Sequence, residues 1–243
     1  MSLPSISVLL HIYYEDTLIT MFKQLRHLLK YKSTNVFINI NYENPNFDRI
    51  NNIITDRYPN IYLIKASNKG KDIGGKLALI QLYMKLNISS DYLLFLHDKK
   101  SPQLANGNSW QYKLFDIAKE DNIAKVLILF ADKNVGMIGS RDNIMSKRKD
   151  PESKIFVNNK DIVLKMASKY NLKSTDYSFV GGTMFWVRES AFMSFFRKYS
   201  PLEIRSNLEM GNVMDDFGPT VTHSWERLLG WIVTSSGLTI KGI

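Results

Sequence analysis

The stretch SISVLLHIYYEDTLITMFKQLRHLLKY, residues 5–31, contains the pattern that decides the fold. Its first part, Ser5–Tyr13, is apolar and rich in β-branched residues, which predicts a strand buried on both faces. In the part that follows, apolar residues recur every three or four positions, with acids at the start and bases toward the end, as in an amphipathic helix. The stretch therefore predicts a buried strand that leads directly into a helix.

The same alternation continues through the first part of the chain. Further strands are predicted at Thr34–Asn41, Asn60–Ser67 and Asp91–His97, with helical patterns between them. Such alternation indicates an α/β fold in which a mainly parallel central sheet is flanked by helices. In sheets of this kind, ligands bind at the carboxyl ends of the strands.

The second half of the chain is less regular, but its sequence contains no repeat and no low-complexity linker, so one domain over residues 1–243 is expected. The segment YSFVGGTMFWVR, residues 177–188, predicts a strand that carries a glycine pair. The segment THSWERLLGWIVTSSG, residues 222–237, predicts a helix that ends at Gly237. Three tryptophans in apolar segments are expected in the core: Trp186, Trp225 and Trp231.

Composition narrows the classes of function. The 243 residues are 44% hydrophobic, which allows a sizeable core, and the net charge of +9 favours an anionic partner. No nucleic-acid motif accompanies that charge, so a phosphorylated small molecule or an acidic lipid surface is favoured over nucleic acid. The sequence has no cysteine, no signal peptide and no run of about 20 apolar residues, so a cytoplasmic protein without a membrane span is expected.

Polar side chains follow three of the predicted strands. The segment YLLFLHDKKS, residues 92–101, runs from apolar residues straight into residues that can carry charge. Because parallel strands end at one edge of a sheet, these clusters predict a composite polar site there. A carboxylate such as Asp98 can hold a divalent cation together with substrate phosphates, and lysines can neutralise a diphosphate directly. The clusters include His11, Tyr13, Asn68, Lys71, Asp72, His97, Asp98, Lys99 and Lys100.

Four motifs carry a resemblance to a known family. They are NKGKDIGG at residues 68–75, FLHDKKSP at 95–102, GGTMFWVR at 181–188 and HSWERLLG at 223–230. Over almost its whole length the chain resembles the rhamnan synthesis protein F family and, more broadly, GT-A glycosyltransferases. The resemblance implies a GT-A-like domain with residues 1–100 as the nucleotide-binding half and residues 101–243 as the acceptor-binding half. It also implies an inverting enzyme that assembles rhamnose-containing polysaccharides of the cell surface, such as cell-wall polysaccharide or lipopolysaccharide.

The resemblance implies roles on the donor side. His97, Asp98 and Lys99 stand where GT-A enzymes carry Asp-x-Asp, so Asp98 is expected to contact the diphosphate or a manganese or magnesium ion. The second acid of that pattern is absent, which leaves metal dependence open. Donor-binding roles are expected for His11, Tyr13, Asn68, Lys71, Asp72, His97, Lys99 and Lys100.

The acceptor side and the catalytic base follow from the same resemblance. His223 and Glu226 stand at the helix start where inverting enzymes carry their base, and residues three apart share one helix face. One of the two is expected to act as the base that takes the proton of the acceptor hydroxyl, while the other orients that base. Asp215 or Asp216 is an alternative candidate for the base. Acceptor-binding roles are expected for Trp110, Gly181, Gly182 and Thr183.

The resemblance implies transfer of L-rhamnose from dTDP-rhamnose to a glycan or lipid-linked acceptor, and the basic surface suits contact with the inner face of the membrane. Three alternatives stay open at this point. The chain could be a non-catalytic module that binds nucleotide sugars or glycans, which would show no turnover. It could be a basic nucleic-acid-binding protein, whose affinity would fall steeply with salt. It could also be another transferase or hydrolase of phosphorylated sugars, which would be indifferent to the nucleoside.

Overall fold

The central feature of the molecule is a seven-stranded sheet with helices packed on both faces. The computed structural model describes residues 4–14, 17–29, 33–42, 45–57, 61–98, 114–146, 158–174, 177–214 and 218–243. The strands in these ranges are β1 (Ile6–Ile12), β2 (Thr34–Asn41), β3 (Ile61–Ala66), β4 (Tyr92–His97), β5 (Val135–Gly139), β6 (Ile144–Met145), β7 (Phe179–Val180), β8 (Phe185–Arg188) and β9 (Thr239–Gly242). The α-helices in the same ranges are α1 (Leu18–Leu29), α2 (Phe47–Arg57), α3 (Lys71–Lys85), α4 (Glu120–Ala131), α5 (Lys160–Lys169), α6 (Glu189–Lys198), α7 (Pro201–Ser206) and α8 (Val221–Thr234).

The strands of the main sheet lie in the order β3-β2-β1-β4-β8-β5-β9. Neighbouring strands are parallel except at β8, which runs antiparallel to β4 and to β5. This arrangement confirms the predicted α/β fold with a mainly parallel sheet. The register pairs His11 of β1 with Asn39 of β2 on one side and with His97 of β4 on the other. Three polar residues therefore lie side by side near the carboxyl edge of a buried sheet.

The segment predicted as one strand around the glycine pair is two strands in different sheets. β7 pairs with β6 in a small two-stranded sheet, whereas β8 belongs to the main sheet. The turn between them has a left-handed backbone at Gly182, with φ 76°, and at Thr183, with φ 53°. A continuous strand cannot contain two such residues, so the prediction of a single strand over residues 177–188 was wrong.

The core has two layers, one on each face of the sheet. Leu9 and Phe95 belong to a cluster with buried residues of α3, α5, α6 and α8, whereas Leu10 and Leu96 belong to a cluster with α1, α2 and α4. Successive residues of β1 and β4 thus enter opposite layers, as side chains of a strand buried on both faces do. Three tryptophans are buried, as predicted: Trp186, Trp225 and Trp231. Among the described helices, none has the length and apolarity needed to cross a membrane.

Two glycines allow the start of α3 to pack closely against its surroundings. A Cβ atom on Gly75 would lie 2.3 Å from Nδ1 of His11, and one on Gly74 would lie 1.7 Å from the backbone oxygen of Lys69. A residue with a side chain at either position would therefore force the chain to shift. The glycine pair fixes where the first turn of α3 lies, and with it the position of Lys71 and Asp72.

Candidate functional site

A pocket opens at the carboxyl edge of the sheet, beside the end of β4. Its wall combines the first turn of α3, the last residue of β4, the turn between β7 and β8, and the first turns of α8. The lining residues are Lys71, Asp72, Ile73, His97, Gly182, Thr183, Thr222, His223 and Glu226. Except for Ile73 and Thr222, all of them were predicted as site residues from the sequence. The structure thus brings predicted donor-side, acceptor-side and catalytic residues into one cavity, where parallel sheets bind their ligands.

At the floor of this pocket, a buried lysine that was not predicted from the sequence links α3, β4 and the turn between β7 and β8. Lys76 is 1% exposed, and its ammonium donates to Oδ2 of Asp72 at 2.8 Å, to Oγ1 of Thr183 at 2.8 Å and to Nδ1 of His97 at 3.0 Å. Burial lowers the pKa of Lys76, and the charge of Asp72 opposes that shift. The one sequence signal for Lys76 is its position four residues after Asp72 on the same helix.

Asp72 is the carboxylate of the pocket floor. Its Oδ2 accepts hydrogen bonds from the ammonium of Lys76 and from the hydroxyl of Thr183. Burial alone would raise the pKa of Asp72, but the Lys76 charge and these hydrogen bonds hold that pKa well below its ordinary value. Because its side chain is still 23% exposed, Asp72 is an ionised acceptor that a ligand in the pocket can reach.

Carboxylates from α3 and α8 together hold the turn between β7 and β8. Asp72 accepts from the Thr183 hydroxyl, and Oε1 of Glu226 accepts from the backbone N–H of Gly182 at 2.7 Å. A β-branched residue such as Thr183 rarely adopts a positive φ, so these hydrogen bonds stabilise an otherwise unfavourable backbone. Gly181 lies outside the pocket lining and donates its N–H to the backbone oxygen of Asn143 at 2.8 Å.

The position of His223 is set by a double cap at the start of α8. Oγ1 of Thr220 accepts from the backbone N–H of His223 at 3.1 Å and lies 2.6 Å from Nδ1 of its ring. Glu209 accepts from the backbone N–H groups of Val221 and Thr222 and from the Thr222 hydroxyl. Burial would raise the pKa of Glu209, but these hydrogen bonds lower it. The cap orients the His223 ring in the pocket wall.

Both carboxylate oxygens of Glu226 accept hydrogen bonds from neighbouring groups of the protein. Its Oε1 holds the Gly182 N–H, and its Oε2 lies 3.1 Å from Nη1 of Arg227. The same Nη1 donates to the backbone oxygen of His223, and the buried guanidinium lies 5.3 Å from the ring centre of Phe179. These contacts give Glu226 a role in positioning the turn and the helix start.

Asp98 contacts the loop that follows β1. Its Oδ1 accepts from the backbone N–H of Tyr13 at 2.8 Å, and its Oδ2 accepts from the backbone N–H of Tyr14 and from the hydroxyl of Thr17. Burial raises the pKa of Asp98 to about 6, although these hydrogen bonds act against the rise. In the structure Asp98 thus ties the ends of β4 and β1 together.

The described residues contain no preformed cluster of metal ligands. In those ranges no group of three or more His, Asp or Glu side chains is arranged to hold a metal ion. The oxygens of Asp98 accept hydrogen bonds from Tyr13, Tyr14 and Thr17, and Oδ2 of Asp72 accepts from Lys76. The role of Asp98 as a metal ligand stays a prediction.

His11 is buried between β2 and α3, outside the pocket lining. Its Nδ1 lies 2.8 Å from Nδ2 of Asn39, and its ring contacts Gly75. Desolvation lowers the pKa of His11 to about 4, outweighing the attraction of Asp72, so the ring is neutral at neutral pH. A donor-binding role for His11 stays a prediction.

Asn68 and Lys71 connect the loop after β3 to the segment before α8. Nδ2 of Asn68 donates to Oδ1 of Asn212 at 3.2 Å, and Nζ of Lys71 donates to the backbone oxygen of Val213 at 3.1 Å. Asn68 is buried under this segment, whereas Lys71 also lines the pocket. Five predicted site residues lie outside the described residues: Lys99, Lys100, Trp110, Asp215 and Asp216.

Comparison with known proteins gives one family match and several structural likenesses. A model of the family described as rhamnan synthesis protein F matches residues 2–238. A search of the curated proteins gives no match.

Among solved structures, a mannosyltransferase from Pyrobaculum calidifontis, in complex with GDP-Man and Mn2+, is 13% identical with a TM-score of 0.41, over 96% of this chain and 73% of that chain. Glucosyl-3-phosphoglycerate synthase from Mycobacterium tuberculosis, in complex with UDP, is 10% identical with a TM-score of 0.39, over 97% of this chain and 81% of that chain. Both TM-scores are low, and neither likeness supports a conclusion about substrate or mechanism.

Proposed function

The chain belongs to the rhamnan synthesis protein F family, and on that premise we propose that it is a glycosyltransferase that moves a sugar from a nucleotide diphosphate to a glycan acceptor. The observation that carries the proposal is the pocket at the carboxyl edge of the sheet. It presents an ionised carboxylate, two histidines and two threonines, and such groups hydrogen-bond sugar hydroxyls. The family name supports dTDP-rhamnose as the first donor to test.

The proposed reaction is a single displacement with inversion at the anomeric carbon. The acceptor oxygen forms a bond to that carbon while the bond to the diphosphate oxygen breaks, and the nucleoside diphosphate leaves with the electron pair. The hydroxyl proton passes to a base. We assign this base to His223, because Glu226 already holds Gly182 and Arg227 whereas the cap of α8 orients the His223 ring in the pocket wall.

Positive charge near the leaving group comes from lysines in this proposal. Lys71 lines the pocket and can stabilise the charge that develops on the diphosphate. Lys99 and Lys100 directly follow Asp98 in the sequence and are assigned the same task. Trp110, Gly182 and Thr183 are assigned to the acceptor, a glycan or a lipid-linked glycan. The net charge of +9 supports contact with the anionic inner face of a membrane.

The test is a calorimetric titration with dTDP, UDP and GDP, each with manganese and with EDTA. We expect one nucleotide to bind tightly, Lys71→Met to weaken that binding, and Lys85→Met at the exposed end of the same helix to leave it unchanged. Binding that survives EDTA supports lysines as the diphosphate contacts, and binding that needs manganese supports a metal ion. A protein that binds none of the three nucleotides would overturn the proposed function.

The stereochemistry is tested separately, by proton NMR of the glycoside formed from dTDP-rhamnose. The product is expected with the anomeric configuration opposite to that of the donor. A product that keeps the donor configuration would rule out the single displacement and the role given to His223, while the assignment as a glycosyltransferase would stand.

A further inference from the structure

The start of α8 is anchored by a carboxylate from outside the helix. The N–H groups of a first helical turn have no acceptor within the helix itself. Those of Val221 and Thr222 donate to Oε1 and Oε2 of Glu209, at 2.7 Å and 2.9 Å, and the Thr222 hydroxyl donates to the same Oε2 at 2.6 Å. A negative charge at this end of a helix is also favourable for the helix dipole. Glu209 therefore fixes the turn that carries His223.

Glu209 also belongs to a segment, residues 208–213, that we call the strap and that contacts the loop between β3 and α3. The backbone oxygen of Glu209 accepts from the N–H of Gly70 at 2.7 Å. One residue further on, Met210 forms an isolated antiparallel bridge with Lys69. The loop that the strap holds leads directly into the first turn of α3, which lines the pocket.

The strap is itself fixed to the core immediately before Glu209. Leu208 is buried and belongs to the hydrophobic cluster that contains residues of α3 and α8. A Cβ atom on Gly70 would lie 2.2 Å from Cδ1 of Leu208, so the strap and the loop are in close contact. The backbone of Glu209 thus has a defined position beside the loop, from which its carboxylate reaches α8.

A second contact holds the same helix start from another direction. The N–H of Thr220 donates to Oδ1 of Asn159 at 2.8 Å, and Oγ1 of Thr220 lies 2.6 Å from Nδ1 of the His223 ring. Asn159 directly precedes α5, so this contact ties the cap of α8 to a neighbouring helix. Without the Glu209 carboxylate, the first turn of α8 would lose its direct hydrogen bonds to the strap and could move relative to the loop.

We propose that Glu209 is a positioning residue that holds the first turn of α8, and with it His223, at a fixed distance from the loop that leads into Lys71. Its backbone binds the donor side of the pocket, and its side chain binds the helix that carries the assigned base. A displacement of about 1 Å can lower the rate of a positioned reaction about a hundredfold. The role toward the base rests on the proposed function, whereas the anchoring of α8 by Glu209 does not.

The anchoring is measured by hydrogen exchange of backbone amides, followed by NMR of nitrogen-15-labelled protein. We expect the amides of Val221 and Thr222 to be protected in the wild-type protein, although they lie in a first turn. Glu209→Gln keeps one acceptor oxygen and places an NH2 group where the other was. At least one of the two amides should therefore exchange about ten- to a hundredfold faster.

The matched control is Glu203→Gln, which removes an exposed acid of α7 and should leave both exchange rates unchanged. Amides that are unprotected in the wild-type protein, or rates that do not change in Glu209→Gln, would overturn the proposal. If Glu209→Gln does not fold, the wild-type rates still decide the anchoring. Glu209→Asp, which keeps the charge but shortens the side chain by one methylene, then replaces it as the variant.

The role toward the base is tested by a double-mutant cycle of Glu209→Gln and His223→Gln. We expect Glu209→Gln to lower kcat about ten- to a hundredfold and to change the affinity for the nucleoside diphosphate less than about threefold, because the backbone oxygen that holds Gly70 remains. In the His223→Gln background the same substitution should change kcat less than about threefold, because no base is left to misplace.

A similar loss of kcat in both backgrounds would show a general structural effect and would overturn the positioning role. If the wild-type protein binds none of the three nucleotides, the proposed function fails. The exchange rates of Val221 and Thr222 still decide in that case whether Glu209 anchors α8.

Discussion

His11 and Asp98 are buried titratable groups at the ends of neighbouring strands, and burial shifts their pKa values in opposite directions. Desolvation disfavours the charged form of each, so it lowers the pKa of the base and raises that of the acid. The pKa of His11 falls to about 4, and that of Asp98 rises to about 6. The free energy of unfolding therefore depends on pH through both groups: the contribution of His11 rises with pH, whereas that of Asp98 falls with pH.

The first prediction concerns His11. Its pKa is about 4 in the folded protein and 6.5 in the unfolded chain, so between these values the unfolded chain binds the additional proton. The neutral ring therefore contributes stability that is complete above about pH 6.5 and is lost as the pH falls toward 4. From about pH 7 to about pH 4, the free energy of unfolding should fall by about 3 kcal/mol more in wild type than in His11→Gln. Urea denaturation at each pH measures both proteins.

The comparison with His11→Gln controls for the other buried titratable group, Asp98. Because the pKa of Asp98 is raised from 3.8 to about 6, its contribution destabilises the fold as the pH rises through that window. That contribution is present in both proteins and cancels in their difference. An identical pH dependence of wild type and His11→Gln would contradict the assignment of a buried neutral ring.

The second prediction separates the two candidate bases of α8. His223→Gln should lower kcat about a hundredfold to ten-thousandfold with little change in nucleotide affinity, because a general base acts only in the transition state. Glu226→Gln keeps an oxygen that can accept from the Gly182 N–H, so its kcat should fall less than about tenfold. Steady-state kinetics and calorimetry measure both, with His27→Gln on α1 as a control. The reverse order of effects would assign the base to Glu226.

At the scale of elements, local patterns predicted most of the sheet. The runs that became β1, β2 and β4 are mostly apolar and buried on both faces, as parallel strands covered by helices are, whereas β3 lies at the sheet edge and is only partly buried. The break between β7 and β8 was not predicted, because apolar residues lie on both sides of Gly182 and Thr183. The break is caused by the left-handed backbone of these two residues, which the residue pattern does not show. α7 was missed because its six residues are too few for a helical period to show.

The candidate site could be predicted only in part, for a physical reason. Residues at strand ends and at the first turns of helices, such as Asp72 and His223, are placed near the sheet edge by topology alone. The burial of Lys76 depends on contacts with Thr183, which lies far away in sequence, and no local pattern encodes them. Likewise, the turn of Asp98 toward the loop after β1 depends on the backbone N–H groups of that loop.

The third prediction concerns the fit of α3 against β1. Gly75→Ala should destabilise the protein by about 1–3 kcal/mol, although alanine favours helix formation over glycine by about 1 kcal/mol. The added Cβ would lie 2.3 Å from Nδ1 and 2.6 Å from Cγ of His11. In a His11→Ala background the same substitution should become neutral or stabilising. Thermal unfolding of the four proteins measures this cycle, and an equal loss in both backgrounds would exclude the clash with His11.

At the scale of the whole molecule, the sheet joins the two halves of the sequence. β4 lies between β1 and β8, and the Phe95 ring packs against Phe185 at 5.1 Å and Phe192 at 5.5 Å. The pocket adds a second connection, because Asp72 of α3 and Glu226 of α8 hold the same turn. The division into a nucleotide-binding half and an acceptor-binding half remains a functional prediction, since strands from both halves form one sheet.

The fourth prediction follows from this shared sheet: the two halves should unfold together. All four tryptophans lie after residue 100, so tryptophan fluorescence reports on the second half, whereas far-UV circular dichroism reports on helices of both halves. We expect the two signals to give the same urea midpoint, because loss of β8 would expose the edge of β4 together with Phe95. A fluorescence midpoint that differs clearly from the dichroism midpoint would show that the halves are separate cooperative units. Addition of the nucleotide that binds should raise both midpoints equally, because a ligand that binds only the folded state stabilises the whole cooperative unit.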